Sequence, residues 1–183
     1  MHIQRSTAWI LAVICFVGSM FASIYIGQKL RGNVNFPMDY STEIEKWSAE
    51  YGVEAALVRS VIWAESRYRP AAVSSAGARG LMQIMPDTGA WLCQLIGEDL
   101  NIDNPADNIR MGTYYLKYLF ERFYDSTVVL AAYNAGPTRV AGWLADPQYA
   151  GPNNTLLSIP FPETATYVNR VLGAYQVYAS PRY

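Results

Sequence analysis

One glutamate, Glu65, has the position that general acid–base chemistry requires. The apolar pattern predicts a helix from about Val53 to Arg67. Within it, Leu57, Val61 and Glu65 are four residues apart, so the carboxyl group lies on a stripe that otherwise faces inward. Burial disfavours the charged form of a carboxyl group and raises its pKa, as a general acid near neutral pH requires. Position alone favours the alternative of a surface glutamate paired with Arg67, Arg69 or Arg79.

The composition excludes several other kinds of site. The chain has one histidine, His2, which rules out Ser/His/Asp and Cys/His catalytic sites and leaves no histidine-based metal site. Its two cysteines, Cys15 and Cys93, can build neither a disulfide framework nor a thiolate zinc cluster. A net charge of −1 argues against nucleic-acid binding. Catalytic sites that depend on histidine, and metal sites built from histidine or cysteine, are therefore excluded.

Three further segments bring polar groups to turns and helix ends. Residues 71–89 (AAVSSAGARGLMQIMPDTG) contain an irregular turn and then an apolar run with one amide, Gln83. Residues 132–137 (AYNAGP) place a phenol and an amide at a helix end, and residues 159–164 (IPFPET) place a carboxylate at a helix start. Each has an ordinary structural explanation when taken singly: helix capping, complement to the helix dipole, or methionine in the core.

The elements that must position these groups are predicted to be helices. The predicted starts are a capping box at Thr42 and Glu45, Asn104 with Pro105 for a helix to Tyr124, Ser126 for a helix through Ala132 that Gly136 and Pro137 end, and Pro162 with Glu163 for a helix to about Val177. Only residues 81–85 have the character of a strand. The predicted fold class is mainly α, with at most a small β excursion.

The N-terminal region differs from the rest in its apolarity. Residues 8–26 (AWILAVICFVGSMFASIYI) carry no charge, and as a helix they would span about 28 Å, close to the roughly 30 Å core of a bilayer. We predict an uncleaved transmembrane anchor, the alternative being a cleavable signal peptide. The predicted organisation is a short cytoplasmic N-terminus over 1–7, the anchor over 8–26, a tether over 27–38 and one working domain over 39–183.

Four ordered sequence blocks give the working domain a family resemblance. They are Glu65-Ser66 with Ser74 downstream, GARGLMQIMP at 77–86, AAYNAGP at 131–137, and PFPETATYVNRV at 160–171. With them, residues 41–178 resemble lytic transglycosylases of the soluble type, whose catalytic domain is lysozyme-like and helical. The resemblance implies cleavage of the β-1,4 bond between N-acetylmuramic acid and N-acetylglucosamine in peptidoglycan, with formation of a 1,6-anhydromuramic end.

The resemblance also implies roles for individual residues. Glu65 matches the catalytic acid and base, and this chemistry calls for no metal or cofactor. Ser74 and Gln83 resemble hydrogen-bond donors in the cleft, and Met82 with Met85 would form its apolar wall. The remaining matches are Tyr133 and Asn134, which would position the substrate, and Glu163 and Tyr167, which would lie in the lower cleft. Since peptidoglycan lies outside the cytoplasmic membrane, the domain is expected on the outer, cell-wall face of a single-pass protein.

Three alternatives stay open at the level of sequence. A goose-type-lysozyme-like muramidase would use the same fold and add water to the bond. A non-catalytic wall-binding module would hold glycan without cleaving it, and the presence of a glutamate at position 65 argues against this. A purely structural helical membrane protein would leave the four blocks unexplained.

Overall fold

The structure is a computed structural model that describes residues 36–181. Within this range the chain forms seven α-helices: α1 (Ser41–Tyr51), α2 (Ala55–Ser66), α3 (Pro86–Ile96), α4 (Pro105–Phe123), α5 (Ser126–Ala135), α6 (Pro137–Ala145) and α7 (Pro162–Tyr178). A 3-10 turn covers Pro152–Asn154. These residues contain no strand beyond isolated bridges, two of which join Arg79 to Val73 and to Ile84. The mainly helical prediction is confirmed, and the expected strand at 81–85 is reduced to the bridge at Ile84.

Two of the predicted helix starts are confirmed. The side chain of Asn104 accepts hydrogen bonds from the backbone N–H groups of Ala106 and Asp107 at 2.9 and 3.2 Å, so it caps α4. Pro105 and Pro162 occupy the first positions of α4 and α7. A proline suits this position because its fixed φ is helical and the N–H that it lacks would have no partner there.

Two predicted caps were wrong. Helix α1 begins at Ser41, after Tyr40 in the left-handed conformation, and no side chain caps it, so Thr42 lies inside the helix. The cap of α5 is Asp125, whose carboxylate accepts from the Val128 N–H at 2.9 Å, and Ser126 is the first helical residue. The residue with the non-helical backbone that defines a cap lies two positions before the predicted cap in α1 and one position before it in α5.

Helices α3 and α6 were not predicted, and α6 was missed because Pro137 was interpreted only as the end of the preceding helix. Gly136 has a φ of 92° and a ψ of 139°, which ends α5. Pro137 then starts α6 directly, rather than only terminating the helix before it. The turn between α5 and α6 therefore leaves Tyr133 and Asn134 at the end of one helix and beside the start of another.

The pair of α2 and α7 forms the centre of the domain. Val58, Val61 and Ile62 of α2 have no exposed surface, and Val168 and Val171 of α7 are 2% and 0% exposed. Helix α7 packs on α2 more extensively than any other pair among the described helices. The last turn of α2 therefore faces α7, and a side chain there on the inward stripe meets the residues of α7.

The long loop after α2 is fixed by one buried amide. Asn108 of α4 donates hydrogen bonds to the carbonyls of Arg79 and Ile102 at 3.0 and 2.8 Å, and accepts one from the N–H of Met82 at 2.8 Å. Gly80 has a φ of 77°, and a Cβ there would lie 2.3 Å from the Asn108 amide nitrogen. A glycine is therefore required where the loop crosses α4.

The described domain begins three residues earlier than predicted. The Phe36 ring stacks on that of Trp63 at 4.9 Å, and the Tyr178 hydroxyl donates to the Pro37 carbonyl at 3.0 Å. Residues 36–38, assigned to the tether, thus pack on the domain, whose compact unit starts at Phe36. The predicted cytoplasmic end, anchor and remaining tether, over 1–35, lie outside the described residues. Among residues 36–181, no helix combines the length and apolarity needed to cross a membrane.

Candidate active site

Glu65 lies in the last turn of α2 and is partly buried. Burial raises the pKa of its carboxyl group from 4.5 to about 7, while the Tyr167 hydroxyl and the positive charge of Arg170 each lower the pKa and offset part of this rise. The cost of burying a carboxylate exceeds the stabilisation that these two groups provide. At neutral pH both the protonated and the ionised form of Glu65 are therefore populated, as an acid that also serves as a base requires.

Helix α7 supplies the two groups that act on Glu65. Tyr167 is 4% exposed, and burial, followed by the charge of Glu65, raises the pKa of its phenol well above the usual value. Its hydroxyl faces the Glu65 carboxyl group but makes no hydrogen bond of ordinary geometry within the described residues. Arg170 lies one turn further along α7 and donates to the Ala64 carbonyl at 3.4 Å. Tyr167, predicted for the lower cleft, therefore lies directly against Glu65.

Tyr133 connects the acid to a neighbouring pocket. Its hydroxyl donates a hydrogen bond to the Met82 carbonyl at 2.8 Å. The pKa of this phenol is raised well above its usual value. The largest cause is burial, followed by the charges of Glu65 and of Tyr115. Because the only hydroxyl proton is used on Met82, the phenol oxygen can accept a hydrogen bond but has no second proton to donate.

The pocket beside Tyr133 brings together four of the predicted binding residues. It has a volume of about 240 Å³ and includes Gln83, Met85, Tyr133 and Asn134 in its lining. Other lining residues, which the sequence did not single out, are Ile84, Thr88, Tyr115, Ala135 and Gly136. The loop before α3 and the turn between α5 and α6 therefore form the two sides of one pocket.

The predicted donor role of Gln83 is corrected by the structure. Its side-chain amide donates to the carbonyls of Ala72 and Gly80 at 3.1 and 2.9 Å, which uses both amide hydrogens. These bonds hold a residue whose φ is +50°, an uncommon value for a residue other than glycine. Gln83 can offer a ligand only its carbonyl oxygen. Ser74 accepts at its hydroxyl oxygen from the Ala78 N–H at 3.0 Å, so its own proton remains available to donate.

The predicted wall role of Met82 is also corrected. Met82 has no exposed surface and packs so closely on Gly112 of α4 that a Cβ there would lie 2.3 Å from its sulfur. It is a core residue, and its link to the site is the carbonyl that holds Tyr133. Met85, in contrast, is 41% exposed and lines the pocket.

The comparisons with known proteins identify the family. The family model described as the transglycosylase SLT domain matches residues 42–156. The chain belongs to this family. Its fold also matches a solved structure of an inactive glutamate-to-glutamine mutant of the lytic transglycosylase Slt from Pseudomonas aeruginosa, with a TM-score of 0.71 and 32% identity over 79% of this chain and 24% of that one. The lysozyme-like helical fold predicted from the sequence blocks is thereby confirmed.

Curated relatives of this SLT domain are longer proteins. The chain is 34% identical over 152 residues to the soluble lytic murein transglycosylase of Escherichia coli K12, covering 78% of this chain and 23% of the relative. It is 33% identical over 111 residues to the membrane-bound lytic murein transglycosylase C of Actinobacillus pleuropneumoniae, covering 53% of this chain and 30% of the relative. The chain thus spans about a quarter of the length of the relatives that it matches.

Two further residues of the SLT domain, Glu163 and Arg170, share the face of α7 that carries Tyr167. Glu163, in the first turn of α7, is exposed and lies one helical turn before Tyr167. Arg170 was not predicted as a site residue, although the spacing of Glu163, Tyr167 and Arg170 at i, i+4 and i+7 places them on one helix face.

Within residues 36–181, no group of three or more His, Cys, Asp or Glu side chains could hold a metal ion.

Proposed function

We propose that this protein is a peptidoglycan lytic transglycosylase that cleaves the β-1,4 bond between N-acetylmuramic acid and N-acetylglucosamine. The observation that carries the proposal is the partly buried Glu65, whose pKa of about 7 suits a group that gives and then takes a proton. Membership of the SLT family and the names of the curated relatives support the same activity. Peptidoglycan glycan strands are the proposed substrate.

In the first step, protonated Glu65 gives its proton to the glycosidic oxygen. The bond between that oxygen and the anomeric carbon of muramic acid breaks, and the N-acetylglucosamine end leaves as a neutral alcohol. The positive charge left at the anomeric carbon is stabilised by the N-acetyl group of the same muramic acid until the second step. The Glu65 carboxylate that remains lies beside the Tyr167 hydroxyl and the Arg170 guanidinium, both of which favour its charge. These two groups therefore offset part of the cost of forming a carboxylate in a buried place.

In the second step, the Glu65 carboxylate removes the proton from the C6 hydroxyl of the same muramic acid. The C6 oxygen forms a bond to the anomeric carbon and closes the 1,6-anhydro ring. Glu65 is again protonated, and no water is consumed. Ordinary glycosidases use a second carboxylate beside the bond, whereas substrate-assisted enzymes let a sugar N-acetyl group take its place. One well-placed carboxyl group is therefore sufficient.

Residues of the adjacent pocket position the sugar. The Tyr133 oxygen, whose proton is held by the Met82 carbonyl, accepts a hydrogen bond from the N–H of an N-acetyl group. The Asn134 amide is exposed at the pocket and is proposed to bind polar groups of the sugar. Ser74 is not among the residues that line this pocket, and its hydroxyl proton is proposed to be donated to the glycan outside it. Met85, 41% exposed, is proposed as an apolar wall for a sugar face, and Glu163 is proposed as a residue of the lower cleft.

The test is the chemistry of the products. The full chain is incubated with purified peptidoglycan, and the soluble fragments are analysed by mass spectrometry beside those from Glu65→Gln. Fragments ending in 1,6-anhydromuramic acid, absent with the variant, are the expected result. Reducing muramic ends would instead identify a muramidase, and no product from a folded chain that binds glycan would identify a binding module.

The proposed location is the outer face of the cytoplasmic membrane. Residues 8–26 would anchor the chain, residues 27–35 would form the tether, and the domain from residue 36 would act on nearby wall. The membrane-bound relative in Actinobacillus pleuropneumoniae is consistent with a family member working at a membrane. Fractionation of cells that express the full chain tests this. Recovery of the chain in the alkali-resistant membrane fraction is expected, and release of the chain in soluble form would contradict it.

A further inference from the structure

Two arginines from different helices meet at the end of α2, beside Glu65. Arg67 follows the last residue of α2 with a φ of 54°, and its guanidinium carbon lies 3.3 Å from the centre of the Trp63 ring. Arg170 of α7 donates from one guanidinium nitrogen to the Ala64 carbonyl at 3.4 Å. Each guanidinium is therefore held by one contact on the rim of the candidate site. Most of its N–H groups are available to donate hydrogen bonds to a ligand.

Among the described residues, the charges of this arginine pair, Arg67 and Arg170, are offset only in part, through the interaction of Arg170 with Glu65. Both side chains are exposed, and neither forms a salt bridge with a carboxylate of residues 36–181. Burial is the larger cause of a lowered pKa at Arg67, and the positive charge of Arg170 is the second. The two cations are therefore close enough to repel each other. When Glu65 is in its acid form, it contributes no negative charge to offset them. Such a pair is suited to bind an anion from outside the chain.

We infer that the arginine pair binds a carboxylate of the peptide stem on the muramic acid next to the scissile bond. This inference rests on the proposed function. The sugars of the glycan backbone are neutral, and the carboxylates of peptidoglycan belong to its stems. A planar guanidinium binds a carboxylate through two parallel hydrogen bonds, and stacking on Trp63 fixes the plane of Arg67 before the ligand arrives.

Binding at the pair has a consequence for Glu65. The charge of Arg170 lowers the pKa of the Glu65 carboxyl group, which disfavours the protonated form needed for the first step. A bound stem carboxylate neutralises this charge and so returns Glu65 towards its acid form. A stem-bearing substrate would therefore be bound more tightly and would also meet a better acid. Arginines that served only to offset the dipole of α2 would show neither effect.

The test measures binding in the Glu65→Gln background, where no substrate is consumed and position 65 does not titrate. Three ligands are compared by calorimetry with the full chain in detergent, in a buffer without carboxylates. They are a disaccharide fragment of peptidoglycan with its stem, the same fragment with its stem carboxylates converted to amides, and the disaccharide without a stem. The matched control is Arg122→Gln, which alters an exposed arginine in the last turn of α4, over the Phe123 ring.

Arg67→Gln and Arg170→Gln are each expected to weaken binding of the stem-bearing fragment about tenfold, the loss of one charge-assisted hydrogen-bonded contact. Both variants are expected to leave the affinity for the amidated and stem-free ligands unchanged within about twofold. Arg122→Gln is expected to leave the affinity for all three ligands unchanged. Equal losses for all three ligands, or no loss for the stem-bearing one, would overturn the inference. If Arg67→Gln disturbs the fold, Arg170→Gln decides alone.

This experiment is independent of turnover. A chain that released no anhydro product from peptidoglycan would refute the proposed function, and the calorimetry would still report whether the pair discriminates between charged and amidated stems. Conversely, anhydro products together with equal affinities would leave the proposed function intact and remove the inference.

Discussion

The hydroxyl of Tyr133 donates to the backbone carbonyl of Met82 at 2.8 Å, although the two residues are 51 positions apart. This bond joins the end of α5 to the loop that precedes α3. It closes one side of the pocket and directs the remaining lone pairs of the phenol oxygen towards a ligand. The loop itself is held by the Asn108 amide, which accepts from the Met82 N–H, so both backbone groups of Met82 are fixed.

Tyr133→Phe is expected to lower kcat/KM for peptidoglycan about tenfold, because it removes the oxygen that accepts from the substrate. It also leaves the Met82 carbonyl without its partner, which costs about 1 kcal/mol of the free energy of unfolding and about 3–5 °C in Tm. Product release followed by mass spectrometry and thermal unfolding by circular dichroism measure the two effects.

The control for this change is Tyr118→Phe. Tyr118 stacks on Tyr115 in the same aromatic cluster at 6.4 Å but does not line the pocket. It is expected to leave kcat/KM unchanged. If Tyr133→Phe lowers Tm as predicted but leaves kcat/KM at the level of Tyr118→Phe, then Tyr133 supports the fold and does not position the substrate.

Glu65→Gln is expected to change how stability depends on pH. The pKa of Glu65 is raised from 4.5 to about 7 in the folded chain, so the folded state holds the proton more tightly than the unfolded state. The resulting stabilisation is complete below pH 4.5 and is lost as pH rises through about 7; it is on the order of 2 kcal/mol, allowing for partial exposure. Urea unfolding between pH 4.5 and 8 should show that the variant loses less stability than the parent chain. Parallel curves would mean that Glu65 is not a buried acid.

The activity of the unsubstituted chain is expected to fall as pH rises through about 7, because the first step needs protonated Glu65. Arg170 lowers the pKa of Glu65, so Arg170→Gln should move this fall to higher pH. Initial rates of product release between pH 5 and 9, on stem-free glycan, measure the midpoint without the effect of a bound stem. Arg122→Gln should leave the midpoint in place, and a shift of the same size in both variants would point to net charge alone as its cause.

Helix periodicity placed Glu65 on the inward stripe of α2, but position alone still favoured a surface glutamate, and the sequence blocks downstream decided between the two. The starts of α4 and α7 were predictable for a local reason, since Asn104, Pro105 and Pro162 have preferences that neighbouring residues do not override. The motif blocks then identified the family, which the match over residues 42–156 confirmed.

Other features depend on contacts that the sequence does not display. The amide of Gln83 is used by two carbonyls because its backbone turns back on itself, and nothing in the run GLMQIMP indicates that turn. The role of Arg170 depends on α7 packing against the end of α2, although the helical spacing from Tyr167 was a usable signal. Helix α6 was missed because a glycine followed by a proline marks the end of one helix and, here, the start of the next.

Met82 and Met85 provide a test of the corrected pocket, since both were predicted to form the apolar wall of the cleft. Met82→Ala should lower the free energy of unfolding by about 3 kcal/mol, because the side chain is fully buried and its loss leaves a cavity against Gly112. Met85→Ala should cost less than about 1 kcal/mol, because its side chain is 41% exposed, and should raise KM about threefold through loss of an apolar wall. Urea unfolding and initial rates at pH 6 separate the two. If Met82→Ala unfolds like the parent chain and raises KM instead, its side chain is part of the cleft.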